Sequence, residues 1–228
     1  MVHQMTTTEA KHRIVEANGI RMHIAEQGTG PMVLLCHGFP ECWYSWRHQL
    51  GALAAAGFHA LAPDMRGYGQ TDAPQEIDRY TLLHLLGDMV GLLDALDIER
   101  AVIVGHDWGA PVTWLAAQLR PDRFPAVIAL SVPFRPRGTV RPTSIMPRTD
   151  DAVWYQLYFQ EPGVAEAEFD RKVRTSFRHR PDQRLGRCTA EATSLRHGAA
   201  AGRLVRPRPV GAAATARLAD RSRYRLLH

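Results

Sequence analysis

The chain has 228 residues, 45% of them hydrophobic and 22% charged, which is enough to bury one full core and too apolar for a chain that stays unfolded. The formal charge of +5 is unevenly placed: residues 181–228 hold ten Arg, no Lys and three acids, for +7, while the first 180 hold 18 basic and 20 acidic side chains, for −2. A near-neutral body of this kind suits an enzyme rather than a nucleic-acid-binding surface, and no apolar run approaches membrane-spanning length.

Taken from the start, MVHQMTTTEAKHR holds no apolar leader core, and Cys36, Cys42 and Cys188 show no metal-ligand spacing. Together they predict a cytoplasmic protein with reduced thiols. Residues 12–17 and 20–26 alternate around Asn18-Gly19, a strong hairpin signal. Residues 32–36 are a fully apolar strand that runs into His37-Gly38-Phe39-Pro40-Glu41, and a helix follows with Trp46, Leu50, Leu53 and Ala54 on one face. Residues 58–61 are the next strand, opening into the Gly/Pro-rich loop APDMRGYG. Residues 80–96 form a helix with Leu82, Leu85, Leu86, Met89, Leu92, Leu93 and Leu96 on its apolar stripe.

Residues 101–104 are a short β-branched strand, and from Trp108 to Leu119 the apolar spacing turns helical at Trp108, Pro111, Val112, Leu115, Ala116 and Leu119. Between them stands Gly105-His106-Asp107-Trp108-Gly109, small residues flanking a strained strand-to-helix turn with Asp107 at its tip. The carboxylate there projects onto the positive end of a helix dipole, which favours its ionised form. A hydroxyl attacking a saturated carbon would leave an ether, which water cannot easily cleave. A carboxylate leaves an ester, which water can attack, so Asp at the tip points to epoxides or alkyl halides and to covalent catalysis. The plainer role for Asp107 is a helix N-cap. Residues 126–132 form a further buried strand ending at Pro133. Strands alternating with helices predict an α/β fold with a mostly parallel sheet, helices on both faces and ligands bound at the carboxyl ends of the strands.

HGFPECWYSWRHQL, APDMRGYGQTDAP, VGHDWGAPVTW, RPDRF and LSVPFRPR stand in this order, and together they resemble the soluble epoxide hydrolases of the α/β-hydrolase fold, plant and actinobacterial types. Haloalkane dehalogenases share the nucleophilic Asp and the Trp after it, and resemble the chain less around HGFPE and SVPF. The resemblance implies that Asp107 is the nucleophile, that the amides of Phe39 and Trp108 form the oxyanion hole, and that Pro40 is cis. It places Glu41 near the hydrolytic water, against the simpler reading of a solvated loop charge, and makes His37 and His106 braces of the loops rather than bases. In AVWYQLYFQ, residues 152–160, it implies a lid helix whose Tyr155 hydroxyl reaches the epoxide oxygen; the alternative is lid packing, as for Trp154, Tyr158 and Phe159. The expected reactants are a small-molecule epoxide and water, without cofactor, metal, nucleic acid or membrane, and the oligomeric state is left open.

Past about residue 178 the similarity stops. The family pattern would continue through the rest of the lid, a second tyrosine, two strands, an acidic residue and a histidine base, none of them recognisable in residues 181–228. Each strand–helix unit takes about 30 residues, so these parts do not fit in that tail. Its ten Ala and ten Arg are what a GC-rich coding sequence gives when read out of frame. The expected organisation is therefore the first part of an α/β-hydrolase core over 1–133, the beginning of a helical lid over 134–180, and an Ala/Arg-rich tail over 181–228, disordered or out of frame. On this reading the fold is incomplete on its C-terminal side. The strand at 126–132 becomes an open apolar edge, and the chain either forms one ester on Asp107 that is not turned over or does not react. The competing expectations are a haloalkane dehalogenase-like hydrolase, or a non-catalytic binding protein whose basic tail meets anionic partners.

Overall fold

The computed structural model describes residues 9–149, 153–167 and 204–205. Asn18 and Gly19, both at positive φ, turn β1 (Lys11–Ala17) back onto β2 (Ile20–Gln27), which pair antiparallel from Lys11↔Glu26 to Ala17↔Ile20. Asn-Gly supplies the two left-handed positions that this tight turn requires. With β3 (Met32–Cys36), β4 (His59–Pro63), β5 (Ala101–His106) and β6 (Ala126–Leu130) they form one sheet in the order β1-β2-β4-β3-β5-β6. β2 meets β4 antiparallel, and β4, β3, β5 and β6 run parallel. The mostly parallel α/β sheet read from the sequence is the one observed.

Side chains alternate across a strand, so β3 sends Val33 and Leu35 to one face and Leu34 and Cys36 to the other. The first pair packs with Ala60, Ala62 and Val104 against Trp46 and with Leu50 of α1 (Arg47–Ala55). On the opposite face Cys36 Sγ lies 3.4 Å from Met89 Sδ of α2 (Leu82–Ala95), whose Leu85, Leu92 and Leu93 are also buried. α3 (Gly109–Leu119) packs on β5 and β6 and beside α2. Strands covered on both faces read as unbroken apolar runs, which is why β3 and β5 were legible.

Four local expectations shift. β4 runs to Pro63, because Ala62 and Pro63 still pair with Ala25 and Ile24 of β2. α3 buries Gly109, Ala110, Val112, Thr113 and Ala116, while Leu119 is exposed. Its small residues lie against the sheet because Gly109 touches the end of β3, which turns the predicted large stripe partly outward. β6 ends at Leu130 rather than at 132, and it is the open apolar edge rather than the buried run: Ile128 is 50% and Leu130 42% exposed, since β6 is the last strand of the sheet among the described residues. Cys36 is a buried free thiol, whereas Cys42 is disulfide-bonded, in place of the expected full set of reduced thiols.

The first unit runs to Phe134 and the second begins at Arg135. The second holds β7 (Val153–Trp154), α4 (Tyr155–Tyr158) and β8 (Leu204–Val205), with β7 and β8 antiparallel. The helix expected over 152–160 is reduced to α4. Trp154 is extended, and its amide donates to the Pro147 carbonyl at 3.1 Å, which commits it to strand pairing instead. Apart from Leu204 and Val205, the tail over 181–228 lies outside the described residues. No helix among the described residues is long and apolar enough to cross a membrane.

Candidate active site

The parallel register aligns three strand ends. Cys36 pairs with Gly105, Gly105 with Ala129, and His106 with Leu130. His37-Gly38-Phe39, Asp107-Trp108 and Ser131 therefore leave the sheet side by side at its carboxyl edge, where open α/β sheets place their ligands.

Asp107 sits at φ +51, with only Trp108 between it and α3. A non-glycine residue held in the left-handed region costs on the order of 1–3 kcal/mol, so its surroundings must impose it. They do so by closeness. A Cβ at Gly105 would lie 2.7 Å from the Ala110 nitrogen, and one at Gly109 would lie 2.8 Å from the His37 carbonyl oxygen. Both flanking glycines are thus required by backbone approach. The Asp107 amide donates to Ser131 Oγ at 3.2 Å, itself a residue at positive φ.

The first loop closes on the same carboxylate. The Phe39–Pro40 peptide is cis, and the Phe39 amide donates to Asp107 Oδ1 at 3.0 Å. A Cβ at Gly38 would lie 2.5 Å from Asp107 Oδ1 and 2.7 Å from the Trp108 nitrogen, so only glycine lets this loop approach the turn so closely. Asp107 Oδ2 makes no hydrogen bond among the described residues, which leaves one carboxylate oxygen available to attack. The site is a half-exposed carboxylate with the Phe39 amide on one of its oxygens.

Glu41 returns to this loop: its Oε2 accepts from the Gly38 amide at 3.4 Å and lies 3.3 Å from His106 Nδ1. Burial alone would raise the Glu41 carboxyl, but the hydrogen bond and charge of His106 and the Gly38 amide outweigh it and hold it below its ordinary value. His106 moves the other way: its hydrogen bond to Glu41 raises it, against burial, with help from the Glu41 and Asp107 charges. His37 is fully engaged, its Nδ1–H donating to the Gly38 carbonyl at 2.8 Å and its Nε2 accepting the Met65 amide at 2.9 Å. A carbonyl only accepts and an amide N–H only donates, so His37 is neutral with its proton on Nδ1, and burial lowers its basicity to match.

Asp107, Phe39, Trp108 and Glu41 are thus brought together. Tyr155 belongs to the second unit, where it opens α4, its ring centroid 5.8 Å from that of Trp154 and 5.9 Å from that of Phe159, and its hydroxyl accepts from Gln156 Nε2 at 3.1 Å. Sequence reasoning missed Ser131 and the partnership of His106 with Glu41. The signal for both was the alignment of adjacent parallel strands, which puts residues just past their ends side by side. Among the described residues no cluster of three or more His, Cys, Asp or Glu is arranged to hold a metal ion.

A protein family described as alpha/beta hydrolase fold matches residues 31–189. Among curated proteins, the chain is 52% identical over 164 residues to epoxide hydrolase 3 of Siraitia grosvenorii, covering 71% of this chain and 51% of that protein. It is 53% identical over 161 residues to epoxide hydrolase A of Mycobacterium tuberculosis (strain ATCC 25618 / H37Rv), covering 69% and 50%. Among solved structures, an epoxide hydrolase from an endophytic Streptomyces superposes with a TM-score of 0.71 at 54% identity, over 74% of this chain and 51% of that one. One from Vigna radiata gives 0.67 at 53% identity, over 71% and 50%. The chain spans about half the length of these relatives.

Proposed function

The chain belongs to the alpha/beta hydrolase fold family, and on that footing we propose that it opens epoxides by covalent attack of Asp107. The observation that carries this reading is the Asp107 carboxylate, tied through Oδ1 to the Phe39 amide at 3.0 Å and open at Oδ2. Oδ2 attacks a ring carbon, the strained C–O bond breaks, and the leaving alkoxide takes a proton. Tyr155 is assigned as the donor of that proton, since an alkoxide leaves poorly unless hydrogen-bonded as its charge builds. The product is a hydroxyalkyl ester on Asp107. The relatives named as epoxide hydrolases, about 50% identical through this part of the chain, support the same substrate class.

Completing a cycle requires water to attack the ester carbonyl, with the Phe39 and Trp108 amides holding the resulting oxyanion and Glu41 beside the water. That step needs a general base. Among the described residues neither histidine beside the elbow fits: both nitrogens of His37 are occupied, and His106 Nδ1 is engaged by Glu41 Oε2 at 3.3 Å. We therefore assign the 228-residue chain a single ester-forming step with little or no turnover. Incubation with a terminal epoxide tests this. The expected outcome is one added epoxide mass per chain and no sustained diol; continued diol formation overturns the single-step reading. Bromide release from a bromoalkane in place of epoxide opening would favour the dehalogenase alternative.

The division into a core over 1–133, a lid segment over 134–180 and a tail over 181–228 belongs to the same proposal, with a small-molecule epoxide and water as the reactants. A cytoplasmic location rests on Cys36 staying a free thiol and stands against the disulfide at Cys42. Because Cys42 is buried, alkylation after denaturing freshly lysed cells decides it, since a reducing compartment leaves that thiol free to react.

A further inference from the structure

The helix α2 reads as an uninterrupted core helix, yet it buries a carboxylate at its centre. Asp88 is 0% exposed and its partner Arg66, in the loop after β4, is 3% exposed. Arg66 Nε donates to Asp88 Oδ2 at 2.9 Å, a second guanidinium nitrogen donates to Oδ1, and Asn18 Nδ2 donates to Oδ1 at 2.8 Å. Two glycines of α2 admit the Asn18 turn: a Cβ at Gly87 would lie 2.9 Å from Asn18 Nδ2, and one at Gly91 2.9 Å from the Asn18 nitrogen. A buried ion pair is a poor source of stability, because desolvation offsets its attraction and an apolar pair of like volume is often neutral or better. Its presence in an apolar helix calls for another reason.

That reason is one residue away. Arg66 follows Met65, whose amide is the donor to His37 Nε2, and His37 in turn holds the Gly38 carbonyl. The Gly38–Phe39 peptide that carries this carbonyl also carries the Phe39 amide on Asp107 Oδ1. We propose that Asp88 is a positioning residue: by fixing Arg66 it holds the Met65 amide on His37, and through His37 it aims the Phe39 amide at the nucleophile. The reasoning rests on Asp107 being the reacting group, as proposed above, but the geometry of the brace can be read without any reaction.

Asp88→Ala leaves Arg66 buried and unpaired and is expected to unfold much of the chain, so the deciding variant is the volume-matched pair Arg66→Met with Asp88→Leu. In the full chain, three quantities are followed: thermal unfolding, hydrogen exchange of the Met65 and Phe39 amides, and the rate of epoxide addition to Asp107. The expected result is a Tm close to that of the parent, with both amides exchanging at least about tenfold faster and addition slowed about tenfold. Parent-like exchange of both amides in a folded double variant overturns the proposal, whatever the addition rate. Faster exchange with unslowed addition also overturns it, because the brace would then not aim the donor. If the parent chain takes up no epoxide at all, the reading of Asp107 fails instead, and the exchange measurement still decides the brace.

Discussion

Replacing Gly38 with alanine separates what the first loop does for stability from what it does for chemistry. A methyl group there would lie 2.5 Å from Asp107 Oδ1 and 2.7 Å from the Trp108 nitrogen, where ordinary van der Waals approach begins near 3.4 Å. The nucleophile must therefore yield by about 1 Å, and its hydrogen bond from the Phe39 amide is the first to break. Inserting a methyl into a packed site costs about 1–3 kcal/mol, which in a chain of this size lowers Tm by roughly 2–12 °C. A displacement of about 1 Å at a reacting group costs about 10²-fold in rate, or about 2.7 kcal/mol on the barrier. The chemical effect should thus dominate at 25 °C, where the variant remains folded. Time-resolved intact-mass measurement of epoxide addition, paired with circular dichroism on the same samples, reads both. Addition within threefold of the parent in a Gly38→Ala chain with lowered Tm would refute the claim that the loop amide orients Asp107.

Tyr155→Phe removes one hydroxyl and should slow ester formation by about 10²–10⁴ while leaving Tm nearly unchanged; an unaltered rate would remove the phenol from the mechanism. The pairing of Glu41 with His106 predicts a pH signature. His106 is held above its ordinary value, first by its hydrogen bond to Glu41, so its contribution to stability is whole below about pH 6.5 and is lost as pH rises through its raised value. Glu41, held low, contributes above its unfolded value near 4.3 and loses that contribution as pH falls through its folded value. The Tm difference between parent and Glu41→Gln should therefore be largest near pH 6 and shrink toward pH 9; a constant difference contradicts the pairing. At the sheet edge, Ile128→Lys places a charge on an exposed position of β6 and should suppress self-association in sedimentation velocity with a change in stability within about 0.5 kcal/mol. Equal association in both chains would show that another surface is the adhesive one.

The elements that the sequence announced are those whose pattern has one physical cause. The Asn-Gly turn needs two left-handed residues, β3 and β5 are apolar because both faces are covered, and the elbow needs glycines where the backbones of β3, β5 and α3 meet. β6 reads as buried by composition because its sequence is as apolar as that of β5; only the loss of similarity past residue 178 marked it as an edge, which is what it is among the described residues. α3 was misread because the hydrophobic stripe marks large residues, whereas close approach to the sheet selects small ones. At the site, the position of Asp107 on the turn and the approach of the Phe39 amide were legible from the turn and from family resemblance. The links from His106 to Glu41, from Ser131 to the Asp107 amide and from Asp88 to Arg66 join residues 65, 24 and 22 positions apart in the chain. Periodicity carries no information on such pairs until strand register brings them together.

The central claim is tested most directly by mapping where an epoxide attaches. Incubation of the parent chain and of Asp107→Asn with one terminal epoxide, followed by intact-mass measurement and peptide sequencing, is predicted to show a single hydroxyalkyl ester on Asp107 in the parent and none in the variant. No adduct on the folded parent, or equal labelling of the Asp107→Asn chain, would contradict the account.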